Sequence, residues 1–200
     1  MMLTVFETNV LEVIYRTHNV MSYRFPRPTD FRYKSGQFII VTVKGVNGEL
    51  SKPFSISSSP TEKDHIEFTK KLSNSEYSSV LSSLKPGDWT RIKGPFGNFT
   101  FEGEYSRIGM LSGGIGITPL RSICRYCTDL GLETSIVLLY GNQSPADIAF
   151  LEELLDMQRK NSNLRVELTV DKPREHKSTK RSFDRRKNCG LVSESVDWKT

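Results

Sequence analysis

The sequence predicts two domains in series: an antiparallel β-barrel over residues 1–103, then a parallel α/β domain over 104–170, with a basic tail over 171–200. Three observations carry this. Up to residue 103, short apolar segments recur between Gly, Pro, Ser and Asp, the pattern of antiparallel strands. After "FEGEYS", strand and helix patterns alternate, and a βαβαβ series implies a parallel sheet with right-handed crossovers. Beyond residue 171 the periodicity stops and charged, Ser-rich sequence replaces it.

In the first part, "GQFIIVTV" from Gly36 runs to a turn at Asn47-Gly48, and "KPFSISS", "HIEFTKKL" and "WTRIKG" follow as strands, enough to close a small barrel. One helix interrupts them: Tyr77, Val80, Leu81 and Leu84 fall at i, i+3, i+4 and i+7, and "KPGD" ends the pattern. In the second part, "RIGML" reads as a buried strand and residues 114–130 as a loop opening a helix with Pro119 in its first turn. "TSIVLLYG" reads as a second buried strand, residues 145–160 as a second helix and "LRVELTV" as a third strand.

Composition narrows the function classes. With 36% hydrophobic and 26% charged residues, the 200-residue chain suits a globular protein with a real core. No run approaches the roughly 18 apolar residues of a membrane helix, and "MMLTVFETNV" lacks the basic flank of a signal peptide, so the expected location is cytoplasmic. Three cysteines without framework spacing fit a reduced chain. Of the net charge of +5, nine Lys/Arg against five Asp/Glu place +4 in residues 171–200, so the body shows no basic face for nucleic acid.

"LSGGIGITPLRS", residues 111–122, follows a strand and opens a helix, where unpaired N–H groups and the helix dipole favour an anion and glycines let phosphate oxygens approach. Pro119 replaces the last glycine of a full G-x-G-x-x-G fingerprint, so this stretch alone is equally a tight strand-to-helix turn. In "SKPFSISSSP", Lys52 suits a phosphate, Phe54 a flat ring and Ser55 a ring nitrogen, although an ordinary amphipathic strand has the same pattern. "GPFGNFTF" reads by itself as a turn with core aromatics. Cys124-x-x-Cys127 shares a helical stripe with Leu120 and Ile123, which reads as core. His18, His65 and His176 share no ligand spacing, and no metal site is expected.

In this order and spacing, over roughly residues 4–170, these stretches resemble the ferredoxin–NADP reductase-like flavoprotein reductases. The resemblance implies a flavin-binding barrel followed by a Rossmann-like NAD(P)-binding domain. "KPFS" looks like a variant of the family's Arg-x-Tyr-Ser motif, which implies Lys52 near the flavin pyrophosphate, with Pro53, Phe54 against the isoalloxazine and Ser55 near its N5. "EYSSVLSSLKPGD" is similar to the helix that meets the pyrophosphate, placing Ser78 and Ser79 there. "GPFGNF" resembles the loop closing the barrel at the flavin, with Gly94, Phe96 and Gly97. "GGIGITP" resembles the dinucleotide loop, with Gly113, Gly114, Gly116, Thr118 and Pro119, and "YGNQS" its adenosine-side loop, with Tyr140, Gly141 and Asn142. The implied cofactor is FAD ahead of FMN, with NADH or NADPH as diffusible substrate.

Departures from the family pattern refine this. Phe54 loses the phenol and Lys52 loses a bidentate fork. Gln143 stands where an Arg is frequent, which favours NADH. No four-cysteine iron–sulfur pattern occurs, so electrons would pass to a separate redox protein or small-molecule acceptor. The family's closing Cys-Gly-Pro is "NCGL" here, with no apolar strand before it. A segment this poor in apolar residues predicts a disordered tail, a sheet ending at its third strand with an open edge, and an incomplete nicotinamide end. The expected function is an NAD(P)H-dependent flavoprotein oxidoreductase with Ser55 beside the reacting atom. A non-catalytic flavin-binding subunit and a cofactor-free scaffold are the alternatives.

Overall fold

The computed structural model describes residues 3–171 and the backbone of 190–191. The expected disordered tail, including His176, lies otherwise outside the described residues. The N-terminal part holds two antiparallel sheets, one ordered β1-β7-β4-β5 and the other β2-β3-β6. The strands are β1 (Thr4–Asn9), β2 (Glu12–Tyr15), β3 (Val20–Pro26), β4 (Phe38–Gly45), β5 (Gly48–Ser55), β6 (His65–Lys71) and β7 (Trp89–Phe96). They enclose one core in which Tyr23, Phe25, Phe31, Ile39, Ile56 and Phe68 are fully buried. The sheets join where Ile56, just past β5, bridges Phe68 of β6.

Helix α1 (Glu76–Ser83) is capped by Ser75, whose hydroxyl accepts from the Ser78 N–H. The Tyr77 hydroxyl donates to the Val41 carbonyl at 2.9 Å and so fastens α1 to β4.

The second part is a sheet ordered β8 (Arg107–Gly113), β9 (Ser135–Asn142), β10 (Leu164–Val170), with β8, β9 and β10 parallel. A two-residue strand, β11 (Gly190–Leu191), pairs antiparallel with the end of β10. The sheet therefore does not end at its third strand, as the sequence predicts; a short non-local pairing carries no periodicity to read. Helix α2 (Ile117–Leu130) and α3 (Leu151–Lys160) supply the crossovers.

The sequence pattern of residues 145–160 suggests one helix, but the structure has a 3-10 turn at Pro145–Asp147 and then α3. Between them Phe150 adopts φ 61°, a left-handed conformation costly for an aromatic residue. Two guanidiniums lie over its ring, Arg16 at 4.6 Å and Arg121 at 5.7 Å from the centroid, and these cation–π contacts offset the strain.

Nor are β8 and β9 buried on both sides. Successive right-handed crossovers stepping one way put both helices on one face. Thus Met110 is 7% exposed while Leu111 is 79% exposed, and Leu139 on β9 is 40% exposed.

The two parts meet through a buried charge network. Arg121 of α2, 3% exposed at its side chain, binds Glu62 from the barrel and Glu153 from α3, and donates to the Ser57 carbonyl at 3.0 Å. Glu67, with no exposed side chain, receives Arg16 at 3.0 Å and Arg24 at 2.8 Å, and Arg16 also pairs with Glu153. Burial alone would raise the carboxyl pKa values, but Arg121 for Glu62, Arg16, Arg121 and Arg24 for Glu67, and Arg121 and Arg16 for Glu153 outweigh it and hold all three below the ordinary carboxylate range.

A folded-state pKa below the unfolded value means stability that is present above roughly pH 4.5 and lost as pH falls through the folded pKa. Chemical-denaturation midpoints measured at intervals from pH 7 to pH 3 are therefore expected to be flat above pH 5 and to drop steeply below it. A midpoint flat through pH 3 would mean that these carboxylates are not bound in this way.

Candidate functional site

Three cavities join end to end into one trough. The first, about 150 Å³, lies between β5, β6 and α1 and is lined by Lys52, Pro53, Phe54, Lys70, Ser75 and Tyr77. It shares Pro53, Phe54 and Lys70 with a second of about 230 Å³, which adds Ser55, Thr69 and Lys71 from the barrel and Ile115 and Thr118 from the parallel domain. Lys71 and Ile115 lead on to a third of about 500 Å³ at the carboxyl ends of β8, β9 and β10, lined by Gly113, Gly114, Gly141, Asn142 and Gln143, with the Asn19–Val20 turn of the barrel on its other wall. A crevice beyond the carboxyl ends of parallel strands is where such sheets bind ligands.

The barrel end is built for an anion beside an aromatic. Alternation along β5 puts Lys52 and Phe54 on one side of the strand. The Phe54 ring stacks on Phe68 at 4.6 Å and tilts against Tyr77 at 5.5 Å, so its orientation is fixed while it remains part-exposed in the trough. Burial, and then the like charge of Lys52, pull the Lys70 ammonium below its ordinary pKa. Two cations held together in this way are relieved by a bound phosphate or pyrophosphate.

The other end is a backbone cradle. After β8 the chain makes a 3-10 turn, Gly114–Gly116, in which Gly114 takes φ 49°, a conformation that glycine adopts without penalty. Cβ atoms added at Gly113 or Gly114 would meet nothing within 4 Å, so the space over the loop is open. Helix α2 begins without a side-chain cap; the Ile117 N–H already meets the Gly114 carbonyl and Pro119 carries no N–H, so the loop offers an anion the helix dipole and an open backbone approach.

Orphaned polar groups stand beside this cradle. Ser112 Oγ, the Tyr140 hydroxyl and both amide atoms of Asn142 are buried without a well-formed hydrogen bond among the described residues. The Tyr140 hydroxyl and the Asn142 amide face each other without proper bonding geometry. Asn142, 7% exposed, lines the cavity, and groups of this kind are satisfied by a ligand or by water. The trough therefore offers an anion and aromatic-ring site at its barrel end and a phosphate cradle with open polar groups at the other.

The structure gathers most of the residues singled out in the sequence and sets others apart. Lys52, Pro53, Phe54, Ser55, Gly113, Gly114, Thr118, Gly141 and Asn142 line the trough. Tyr140 lies fully buried behind it, and Gly116 and Pro119 shape the start of α2. The Ser78 hydroxyl is taken up in the α1 cap, accepting from the Ser73 N–H at 3.2 Å, and Ser79 is exposed. Neither lines the trough. Ser75 does, and its position before "EYS" is an N-cap signal. Gly94, Phe96 and Gly97 lie at the end of β7, where Phe96 stacks on Phe38 at 5.4 Å and pairs across the sheet in one row with Phe38 and Ser55, outside the cavity lining. Lys70, Lys71 and Thr69 are additions, and their sequence signal is the doubled lysine that breaks the alternation of "HIEFTKKL".

Cys124 and Cys127 are free and fully buried on α2, and burial pushes their thiols up to about 12 and about 11 respectively. The core reading of that pair holds. No group of His, Cys, Asp and Glu among the described residues could hold a metal ion.

Comparison with known proteins decides the family. An oxidoreductase FAD-binding domain model matches residues 7–101, and an oxidoreductase NAD-binding domain model matches residues 110–188. The chain belongs to the ferredoxin–NADP reductase-like flavoprotein reductases.

Within this reductase family, NADH-cytochrome b5 reductase 1 of Aspergillus oryzae is 33% identical over 172 residues, covering 80% of this chain and 59% of that protein. The reductase component of propane 2-monooxygenase from Mycolicibacterium goodii is 30% identical over 155 residues, 75% of this chain and 44% of that protein. The chain spans about half the length of the curated relatives it matches. The cytochrome b5 reductase domain of Ulva prolifera nitrate reductase superimposes with a TM-score of 0.73 at 24% identity, covering 86% of this chain and 75% of that one. That likeness gives the reductase fold its two layers, antiparallel sheets followed by a parallel sheet.

Proposed function

We propose that this chain is the flavin- and dinucleotide-binding core of an NAD(P)H-dependent oxidoreductase that passes electrons to a separate acceptor, with the barrel domain over residues 1–103 and the dinucleotide domain over 104–170. The observation that carries the reading is the middle cavity, which the "KPFS" strand of one domain and the glycine loop of the other line together. When bound, the flavin supplies the chemistry, accepting a hydride at N5 and giving up electrons singly.

The chain's residues bind and orient. Lys52 and Lys70 hold the pyrophosphate with Ser75, and Phe54 supports the ring. Ser55, at the junction of both domains, donates a hydrogen bond at N5. Ile115 and Thr118 would border the nicotinamide, and the uncapped α2 N-terminus with Gly113 and Gly114 would take the dinucleotide phosphates. FAD is favoured over FMN because an oxidoreductase FAD-binding domain model matches residues 7–101. A cytoplasmic location agrees with two free cysteines. The acceptor is a separate redox protein or small oxidant, in keeping with relatives named as a cytochrome b5 reductase and a monooxygenase reductase component.

NADH is the preferred donor. Among the described residues, the adenosine end of the trough is lined by Gln143 and two carboxylates, Asp147 and Asp171, and the one cation there, Lys71, lies at the barrel side. A 2′-phosphate there loses a charge-assisted contact worth roughly 1.5–3 kcal/mol, about ten- to a hundredfold. Steady-state reduction of an artificial one-electron acceptor by the FAD-loaded protein tests both function and preference. The expected result is turnover with NADH and a KM for NADPH at least tenfold higher. A lower KM for NADPH reverses the preference, and no turnover with either leaves a flavin-binding subunit without reductase activity.

A further inference from the structure

A second cationic cavity lies at the opposite end of β6 from the trough. It measures about 350 Å³ and is lined by Arg27, Pro28, Thr29, Arg32 and Lys63. Arg27 directly follows Pro26, which pairs with His65 at the start of β6, whereas the trough begins at Thr69 and Lys70. At about 3.3 Å per residue, roughly 17 Å of strand separates the two.

Arg27 is held in place rather than swinging in solvent. Its Nε donates to the Phe31 carbonyl at 3.2 Å, one Nη donates to the Pro60 carbonyl at 2.8 Å and the Glu62 carbonyl at 3.2 Å, and its guanidinium lies 4.8 Å over the Tyr33 ring. All these partners are neutral. Burial, and then the Arg32 charge, pull Arg27 below its ordinary pKa against the opposing influence of Tyr33. Among the described residues, none of Arg27, Arg32 and Lys63 makes an ion pair with a carboxylate. Asp30 and Asp64 are near in sequence, but neither lines the cavity. Three cations gathered around one concavity repel one another, as the influence of Arg32 on Arg27 shows, and an anion bound between them relieves that repulsion.

We propose that this cavity binds the phosphoryl group of a soluble phosphate monoester, separately from the nucleotide trough. Arg27, fixed through its Nε and one Nη by carbonyls, keeps the two N–H groups of its other Nη for an oxyanion, with a second guanidinium and an ammonium to complete the charge. A phosphoryl group alone fills only part of this volume, and the rest, against Pro28 and Thr29, accommodates a small organic remainder. The Glu62 carbonyl that positions Arg27 belongs to the residue whose carboxylate binds Arg121, so the site rests on the barrel loop that contacts α2.

Heteronuclear NMR of the full chain, following the Arg27 Nε–Hε signal, tests this with inorganic phosphate and with glycerol 3-phosphate at constant ionic strength. Saturable shifts are expected with both, tighter for glycerol 3-phosphate. The Arg32→Glu/Lys63→Glu variant is expected to bind at least tenfold more weakly, because each lost charge-assisted contact is worth about 1.5 kcal/mol or more. Lys52→Glu, in the trough, leaves this titration unchanged. An Arg27 signal that never saturates, or a double variant with the parent's curve, overturns the proposal. Tighter binding of inorganic phosphate than of the monoester overturns the monoester assignment.

Discussion

Lys52→Glu is expected to weaken flavin binding by about a hundredfold or more. Lys52 shares the barrel end of the trough, proposed above for the pyrophosphate, with Lys70, whose ammonium is already destabilised by burial and by that neighbouring charge. The substitution removes one charge-assisted contact and places a carboxylate beside an anionic ligand, so lost attraction and new repulsion together amount to about 3 kcal/mol. The variant should fold, because Lys52 is exposed and carries no core contact. Lys52→Arg keeps the charge and adds the bidentate fork, and is expected to hold flavin at least as tightly as the parent. Equilibrium dialysis against FAD measures both. A Lys52→Glu chain that retained flavin like the parent would remove the phosphate from this end of the trough.

Arg121→Ala is expected to cost about 3–5 kcal/mol of stability. The side chain is buried between Glu62 and Glu153, and its loss leaves the part-buried Glu62 carboxylate without its guanidinium partner and Glu153 with Arg16 alone. It also takes one of the two guanidiniums off the Phe150 ring, where the chain is held in a left-handed conformation. Urea denaturation at pH 7 reads the loss. The same variant should keep part of its remaining stability to lower pH than the parent, since fewer depressed carboxyls remain to be protonated. A loss below about 1 kcal/mol would mean that the network behaves as a hydrated surface cluster.

The fold was legible where periodicity exists. Alternation in "HIEFTKKL", the i, i+3, i+4, i+7 stripe from Tyr77 to Leu84 and the strand–glycine–helix order around residue 114 each report a local geometry that survives into the structure. Three features resisted reading because their causes are non-local. Phe150 breaks a helical pattern through guanidiniums arriving from β2's far end and from α2. Leu111 is apolar yet exposed because both crossovers fall on one face. Gly190–Leu191 pairs with β10 across a long stretch of charged sequence. In the site, Lys52, Phe54, Ser55 and the glycine loop could be singled out because motif order carries chemistry. Lys70 and Ser75 carry only a doubled lysine and an N-cap signal, and their relevance to the site comes from the spatial neighbour Lys52, which only the fold brings to them.

The most direct test of the central claim is the visible spectrum of the purified chain after FAD loading, recorded anaerobically before and after addition of NADH. A trough lined jointly by Ser55 and Thr118 should give a yellow protein whose flavin absorbance bleaches on NADH and returns when an oxidant is admitted. A yellow protein that NADH leaves unchanged, or a colourless one that takes up no flavin, would contradict the claim that the two domains form one hydride-transfer site.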